Sequence, residues 1–165
     1  MFLRPLLLLC LLLTGAGRAH AAQSYDNCVG YITTLPAVIT TQGTWCLKQD
    51  LATAITSGSA ITINNNNVTI DCNDFKLGGL SAGTGTLSSG IYAVSRSNIT
   101  VRRCNVRGFF IGVNLYATTT GGNLVEDNRL DGNTLEGLSV FGDGSIVRRN
   151  VITNTGGSTS ISKHA

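Results

Sequence analysis

Two short sequence elements recur at nearly the same spacing, and this repeat constrains the fold more than any other feature of the chain. The first element is a nine-residue segment that aligns without gaps at four places, beginning at Asn67, Asn98, Gly122 and Gly144. The second element lies between the copies of the first and begins at Gly90, Gly112 and Gly137. Because two independent elements share a period of about 22 to 25 residues, we expect one structural unit to repeat along the chain.

The composition of the repeat favours short strands over helices. Its apolar stretches are four or five residues long, rich in β-branched residues and separated by Gly, Asn, Thr and Ser, which is typical of strands joined by tight corners. No segment shows a sustained apolar period of 3.6 residues, so helices are not expected. The sequence therefore predicts an all-β parallel solenoid of about four to five coils, in which equivalent positions stack from coil to coil.

Alignment of the repeats predicts two interior columns and one polar column at a corner. The first interior column contains Ile70, Val101, Val125 and Val147. The second interior column contains Phe75, Val106, Leu130 and Ile152. The polar column contains Asn73, Cys104, Asn128 and Asn150. Asparagine tolerates the left-handed backbone that a corner requires, and stacked asparagine side chains can hydrogen-bond along a ladder.

Charged residues also fall into columns, and their signs alternate from one coil to the next. One such column contains Asp71, Arg102, Glu126 and Arg148, and the next contains Arg103, Asp127 and Arg149. Asp131 aligns with Lys76 and Arg107 in the same way. Opposite charges on neighbouring strands stabilise a sheet, so the alternation predicts a surface charge ladder and not an active site.

The first 21 residues have the pattern of a secretory signal peptide. A basic start precedes an apolar run at residues 6–13, and a small-residue cleavage site ends at Ala21; the run is too short to span a membrane. Cleavage after Ala21 predicts a secreted or periplasmic protein. Removal of Arg4 and Arg18 lowers the Lys and Arg count from 12 to 10, against nine Asp and Glu. The mature chain therefore lacks the basic excess of a nucleic-acid-binding protein, and no second apolar segment predicts a membrane span.

Four cysteines remain after cleavage, an even number compatible with disulfides in an exported protein. Cys28 and Cys46 bracket a short segment with Gly and Pro, which predicts that they form a disulfide. Cys72 and Cys104 lie on adjacent coils but one column apart, so either a second disulfide or replacement of an asparagine by Cys104 fits the pattern. No zinc site is expected, because no spacing is Cys-x-x-Cys.

The repeats resemble the right-handed parallel β-helix superfamily of pectate lyases and related carbohydrate-active proteins. The matching segments are VTIDCN at 68–73, GIY at 90–92, NITVRRC at 98–104 and EDN at 126–128. The resemblance implies an N-terminal cap and first coil at 22–59 and β-helix repeats at 60–165. It also implies that the chain is either the N-terminal portion of a longer member or a natural truncation, because the sequence stops just inside the next coil. An uncapped final coil would favour edge-to-edge self-association.

The resemblance implies a polysaccharide partner and allows lyase, hydrolase or epimerase activity, with calcium implied only in this way. No residue is assigned a catalytic role and no metal site is expected, because the acids are matched to arginines and both histidines lie near the chain ends. Five aromatic residues lie near strand ends, namely Tyr92, Phe109, Phe110, Tyr116 and Phe141. Core packing of several of these rings is favoured over sugar binding, and Tyr92 and Tyr116 are the two candidates for sugar binding. Glu136 and Asp143 flank a strand, belong to no charge ladder and complete the candidate substrate-binding set.

These features leave two hypotheses for the function of the chain. The first is a secreted, carbohydrate-associated β-helix protein without a complete active site in this segment. The second is a noncatalytic β-helix at the cell surface or in the periplasm with a structural or binding role. Three or more clustered carboxylates on adjacent coils would favour an enzyme, whereas alternating charges favour the noncatalytic hypothesis.

Overall fold

The computed structural model describes residues 27–119 and 121–161. Strands dominate the described residues, and the helical structure among them is a single 3-10 turn at Leu80–Ala82. The prediction of an all-β fold is therefore confirmed. The predicted signal peptide at 1–21, with its cleavage site after Ala21, lies outside the described residues, as does the end of the chain at 162–165.

Within the described residues, sixteen short strands pair in parallel to form three sheets. The first sheet contains, in spatial order, β1 (Cys28–Ile32), β3 (Gly43–Leu47), β6 (Val68–Asp71), β9 (Ile99–Arg102), β12 (Leu124–Glu126) and β15 (Ile146–Arg148). The second sheet contains β4 (Leu51–Ala52), β7 (Lys76–Gly78), β10 (Asn105–Arg107), β13 (Arg129–Asp131) and β16 (Val151–Thr153). The third sheet contains β2 (Ala37–Ile39), β5 (Ser59–Ile63), β8 (Ser89–Val94), β11 (Ile111–Tyr116) and β14 (Glu136–Phe141).

From β3 onward, consecutive strands visit the first, second and third sheets in turn, so that three strands make one coil. Four complete coils result, namely β3–β5, β6–β8, β9–β11 and β12–β14, with β15 and β16 continuing the stack. Each strand pairs with the equivalent strand one coil away, as in the pairing of β6 with β9 and of β9 with β12. The architecture is the predicted parallel β-helix.

The first interior column has the predicted register. Ile70 pairs with Val101, Val101 with Val125, and Val125 with Val147. The first three side chains are completely buried, whereas Val147 is 49% exposed. The prediction that Val147 points into a closed interior is therefore wrong, because its strand β15 is flanked on one side only among the described residues.

The second interior column contains Leu77 and not Phe75, which corrects the alignment. Val106 pairs with Leu77 on one side and with Leu130 on the other. The corner between β6 and β7 spans 72–75, whereas the equivalent corner between β9 and β10 spans 103–104. Because the β6–β7 corner is two residues longer, each residue of β7 pairs with a β10 residue two positions earlier than the alignment predicted. Lys76 accordingly pairs with Asn105 and not with Arg107.

Left-handed backbone occurs at the corner between the first and second sheets, one residue earlier than predicted in three coils. Arg103, Asp127 and Arg149 adopt φ angles of 51°, 55° and 54°, whereas Asn128 and Asn150 do not have positive φ. Only Asn73 of the predicted asparagines is left-handed, with φ of 48°. The asparagine side chains instead hydrogen-bond to the neighbouring coil.

Asparagine side chains connect successive coils at this corner. The Asn150 Oδ1 atom accepts hydrogen bonds from the backbone N–H and the side-chain amide of Asn128, at 3.0 and 2.9 Å. The Asn128 Oδ1 atom in turn accepts the backbone N–H of Cys104 at 2.9 Å. Asn73 donates from its side-chain amide to a backbone carbonyl of the preceding coil at 3.2 Å. Each of these amides thus serves backbone groups that no strand pairing reaches.

The coil formed by β12–β14 carries a buried asparagine at each of its three corners, five residues apart: Asn123, Asn128 and Asn133. Each accepts a backbone N–H of the preceding coil, from Ile99, Cys104 and Phe109, at 3.0, 2.9 and 3.1 Å. The Asn128 and Asn133 amides also donate to backbone carbonyls of that coil. Buried backbone groups without partners are costly, so these asparagines hold the corners in register.

Both disulfides connect adjacent coils. Cys28 is joined to Cys46, as predicted, and links β1 to β3. Cys72 is joined to Cys104 with a Cα–Cα distance of 4.7 Å, which resolves the alternative left open by the sequence in favour of a covalent link. Two neighbouring coils are therefore cross-linked at each of two places along the helix axis.

The repeated glycines of the third sheet allow the coils to approach closely. A Cβ atom at Gly90 would lie 2.4 Å from the carbonyl oxygen of Gly112, and one at Gly112 would lie 2.5 Å from that of Gly137. Real Cβ atoms do not approach backbone so closely, so a side chain at these positions would push the coils apart. The second repeated element is thus a packing requirement.

Substitution of Asn128 by alanine tests the role of the corner asparagines. We expect the free energy of unfolding to fall by about 1–3 kcal/mol, because the buried backbone N–H of Cys104 loses its acceptor. Asn105→Ala is the matched control, since Asn105 lies on β10 and its side chain makes no hydrogen bond among the described residues. Urea unfolding followed by circular dichroism gives both values, and equal losses would contradict a special role for the corner.

Candidate binding surface

The three outer faces of the β-helix differ sharply in charge. All but three of the described charged residues lie on strands of the first two sheets or at the corner between them: Lys48, Asp50, Asp71, Asp74, Lys76, Arg102, Arg103, Arg107, Glu126, Asp127, Arg129, Asp131, Arg148 and Arg149. The remaining three are Arg96, Glu136 and Asp143. The outer face of the third sheet is therefore almost free of charge.

The first charge cluster is centred on Asp71, whose side chain is only 2% exposed. The Arg102 Nε atom donates to Asp71 Oδ2 at 2.9 Å, and the Arg103 Nε atom donates to Asp71 Oδ1 at 2.9 Å. Arg103 also donates to the Asn73 side-chain oxygen at 2.8 Å. The acid of this cluster is thus buried beneath two arginines, whereas the sequence predicted a surface ladder.

The second charge cluster lies two coils further along the axis. Arg148 and Arg149 both donate to the Glu126 carboxylate, at 2.8 and 2.9 Å, and the Arg149 Nε atom donates to Asp127 at 2.6 Å. Arg102 lies in register between Asp71 and Glu126, but its ion pair in the described residues is with Asp71. The alternation of sign therefore forms separate clusters and not one continuous ladder.

Hydrogen bonding lowers the pKa of three carboxyls on these two sheets. The Arg149 side chain holds the pKa of Asp127 below its usual value. Hydrogen bonds from Asn154 and then Thr153 lower the pKa of Asp131, and the backbone N–H of Lys76 lowers that of Asp50. Each of these acids is therefore stabilised in its ionised form.

An open groove of about 430 Å³ lies at the corner between the first and second sheets. Its lining contains both signs of charge and is formed by Asp74, Cys104, Asn105, Asp127, Asn128, Arg129, Arg149 and Val151. Asp127 and Arg149 neutralise each other across the lining. No group of three or more His, Cys, Asp or Glu residues suited to a metal ion occurs in residues 27–119 and 121–161.

The outer face of the third sheet presents uncharged polar and apolar side chains, because inward and outward residues alternate along each strand. In β8, for example, Ile91 and Ala93 are buried while Tyr92 and Val94 point outward. Parallel pairing stacks the outward residues into rows. One row contains Val38, Thr62, Tyr92, Asn114 and Ser139, and the other contains Val94, Tyr116 and Phe141.

The second of these rows is an exposed apolar strip, here called the aromatic ridge (Val94, Tyr116 and Phe141). These residues are 42%, 47% and 56% exposed. The Tyr116 and Phe141 rings stack with centroids 5.3 Å apart and planes 18° apart. Three consecutive coils therefore contribute to one continuous apolar strip on a face that is otherwise polar and uncharged.

The structure separates the four residues predicted to bind substrate. Tyr92 and Tyr116 share the outer face of the third sheet, on neighbouring strands. Asp143 follows Phe141 in the turn after β14, whereas Glu136 begins that strand at its other end. The candidate surface thus contains the two tyrosines, whereas the two acids lie near opposite ends of strand β14.

Phe141 belongs to this surface although it was not in the predicted set. The sequence contains the signal, because Val94, Tyr116 and Phe141 each follow a glycine of the second repeated element by four residues. What the repeat does not reveal is which of the aromatic residues point outward. Phe109, also near a strand end, is completely buried, in agreement with the alternative of core packing for some of these rings.

Comparison with known proteins agrees with the observed architecture. A family model described as a right handed beta helix region matches residues 37–165. No curated protein and no solved structure matches the chain. None of the helical structure in the described part of the chain is long and apolar enough to span a membrane.

Removal of either arginine from Asp71 tests whether this buried acid depends on both. Arg103→Ala should lower the free energy of unfolding by about 1.5–3 kcal/mol, because three hydrogen bonds to Asp71 and Asn73 are lost. Arg102→Ala, which loses one hydrogen bond to the same acid, should cost less. Denaturant unfolding of the two variants measures the difference, and a larger loss for Arg102→Ala would overturn this assignment.

The lowered carboxyl pKa values predict a loss of stability in acid. An acid whose pKa is depressed in the folded state contributes stability above its unfolded pKa and loses that contribution as the pH falls through the folded value. The urea midpoint should therefore drop as the pH falls below about 3.8, the ordinary value for Asp127 and Asp131. The double variant Asp127→Asn/Asp131→Asn should show a shallower drop, whereas Asp143→Asn, at a residue without an ion pair in the described residues, should not.

Proposed function

Because the chain belongs to the right-handed β-helix family, we propose that it is a secreted protein that binds polysaccharide through the outer face of its third sheet. The observation that supports this proposal is the aromatic ridge, in which Val94, Tyr116 and Phe141 remain exposed on three consecutive coils. Apolar side chains that line up on an otherwise polar face mark an interaction surface more often than scattered ones do.

The ridge and its neighbours combine the two kinds of contact that sugars make. One face of a pyranose ring carries apolar C–H groups that pack against aromatic side chains, and the hydroxyls at its edge form hydrogen bonds. Asn114 and Ser139 lie on the same strands as Tyr116 and Phe141, two residues before them and on the same outer face. Their side chains offer hydrogen-bond donors and acceptors beside the rings, as ligand sites with few polar groups among apolar contacts do.

Export of the protein is supported by two independent features. The first 21 residues have the pattern of a signal peptide, and the chain contains two disulfides, Cys28–Cys46 and Cys72–Cys104. Disulfides form and persist in oxidising compartments outside the cytosol. A secreted or periplasmic location would expose the third sheet to extracellular glycans.

The carboxyls favour binding over catalysis as the role of this segment. A glycosidase needs one carboxylic acid with a raised pKa and a second carboxylate at a fixed distance across the scissile bond. The shifted acids Asp50, Asp127 and Asp131 all have lowered pKa values. Asp71 and Glu126 are each held by two arginines. We therefore propose a noncatalytic binding role.

A second candidate interaction is edge-to-edge association along the helix axis. Val147 and Ile152 belong to the interior columns and are nevertheless about half exposed, next to the similarly exposed Ile146 and Val151. Strand edges with apolar neighbours promote association with another chain. Sedimentation over a range of protein concentrations tests this candidate, and it should be measured before any binding experiment so that self-association is not mistaken for ligand binding.

Substitution of Tyr116 by alanine tests the binding surface. We expect about tenfold weaker binding to the polysaccharide that retards the unmodified protein most strongly, because a central ring of the ridge is lost. Val29→Ala is the matched control, since Val29 is 63% exposed on β1 of the first sheet and belongs to neither the ridge nor the exposed residues of β15 and β16. Affinity electrophoresis in gels containing a panel of plant and microbial polysaccharides measures both variants, and equal retardation of the two would contradict the proposed surface.

A further inference from the structure

We infer that the polysaccharide bound by the third sheet is neutral and not a polyuronate. This inference rests on the proposed function and names the chemical class of its ligand. It depends on how the charged residues are distributed over the three outer faces and on what each of them already contacts.

An acidic polysaccharide carries a carboxylate on most of its sugars and needs cationic side chains along its path. The third sheet with its flanking corners contains a single cation among the described residues, Arg96, which lies in the corner after β8. Arg96 donates one hydrogen bond to the Asn64 side chain and one to the Ser95 carbonyl. Glu136 and Asp143 lie near the two ends of the edge strand β14 of the same sheet and would repel a polyanion. The charge on this face therefore disfavours an acidic ligand.

The outward residues of the sheet suit a ligand without charge. The row of Thr62, Tyr92, Asn114 and Ser139 offers hydroxyl and amide groups, which can exchange hydrogen bonds with sugar hydroxyls without a cost in charge desolvation. The adjacent aromatic ridge offers apolar area. Burial of apolar area is insensitive to moderate salt, whereas attraction between exposed charges is screened by it.

All but one of the described arginines on the other two faces already form ion pairs. Arg102 and Arg103 are bound to Asp71, and Arg148 and Arg149 are bound to Glu126. A polyuronate that used these cations would have to displace carboxylates of the protein itself. Arg129 makes no ion pair within the described residues, and it lines the groove at the corner of the first two sheets. It is therefore the cation that an acidic ligand would reach first.

The test compares two classes of polysaccharide at two salt concentrations with the full, disulfide-bonded chain. The neutral class is hydroxyethyl cellulose, arabinoxylan and galactomannan, and the acidic class is polygalacturonate and alginate. Affinity electrophoresis and isothermal titration calorimetry are run at low salt and again at about tenfold higher salt, where the Debye length is about threefold shorter. The variants are Phe141→Ala on the ridge and Arg129→Ala in the groove, each checked for folding by circular dichroism.

We expect at least one neutral polysaccharide to bind with an affinity that changes less than about twofold with salt. Phe141→Ala should weaken this binding about tenfold, and Arg129→Ala should leave it unchanged. Binding of acidic polysaccharides alone, lost at high salt and in Arg129→Ala, would overturn the inference while leaving a carbohydrate-binding function in place. Equal affinity for both classes would also overturn it, because the claim is one of selectivity.

Failure of the proposed function has a different signature. If no polysaccharide of either class binds, the function itself is wrong and not only its ligand class. If Phe141→Ala then changes the sedimentation coefficient of the protein, the ridge is an interface between protein chains. The two failures are thus distinguished by whether any glycan binds at all.

Discussion

Hydrogen bonding between successive coils at the corners is the constraint on which the rest of the structure depends. Strand pairing satisfies the backbone in the middle of each sheet, but at a corner the chain turns away and backbone groups lose their partners. Buried Asn123, Asn128 and Asn133 supply side-chain acceptors there for the preceding coil. An unsatisfied buried group costs about 1–3 kcal/mol, so these asparagines hold the β12–β14 coil in register with the coil before it.

Because contacts between the coils fix the strand register, the outward side chains of the three sheets can differ. The first two sheets use theirs for ion pairs, of which those centred on Asp71 and Glu126 have a buried acid. Exposed pairs such as Arg149 with Asp127 contribute little. The third sheet carries the exposed Tyr116 and Phe141 rings instead. Apolar area that stays exposed on one face of a folded protein is best explained by a partner that covers it. This is the physical basis of the proposed function.

The sequence allowed much of the fold to be predicted, because stacked positions repeat. Ile70, Val101 and Val125 could be aligned because the strands of the first sheet that carry them contain no insertion relative to one another. Phe75 was placed in the wrong column because the preceding corner is two residues longer than its equivalent. Asn133 was not predicted as a corner residue, since its column contains no second asparagine to reveal the pattern. Corner lengths and the direction of each ring depend on packing that a single sequence does not display.

Chemical-shift mapping tests most directly whether the aromatic ridge binds glycans. A neutral oligosaccharide is titrated into isotopically labelled protein while backbone amide signals are followed by NMR. The account predicts that the largest shifts cluster at Asn114, Tyr116 and Phe141 on the third sheet. Shifts that cluster instead around Asp127 and Arg129, in the groove between the first two sheets, would contradict it.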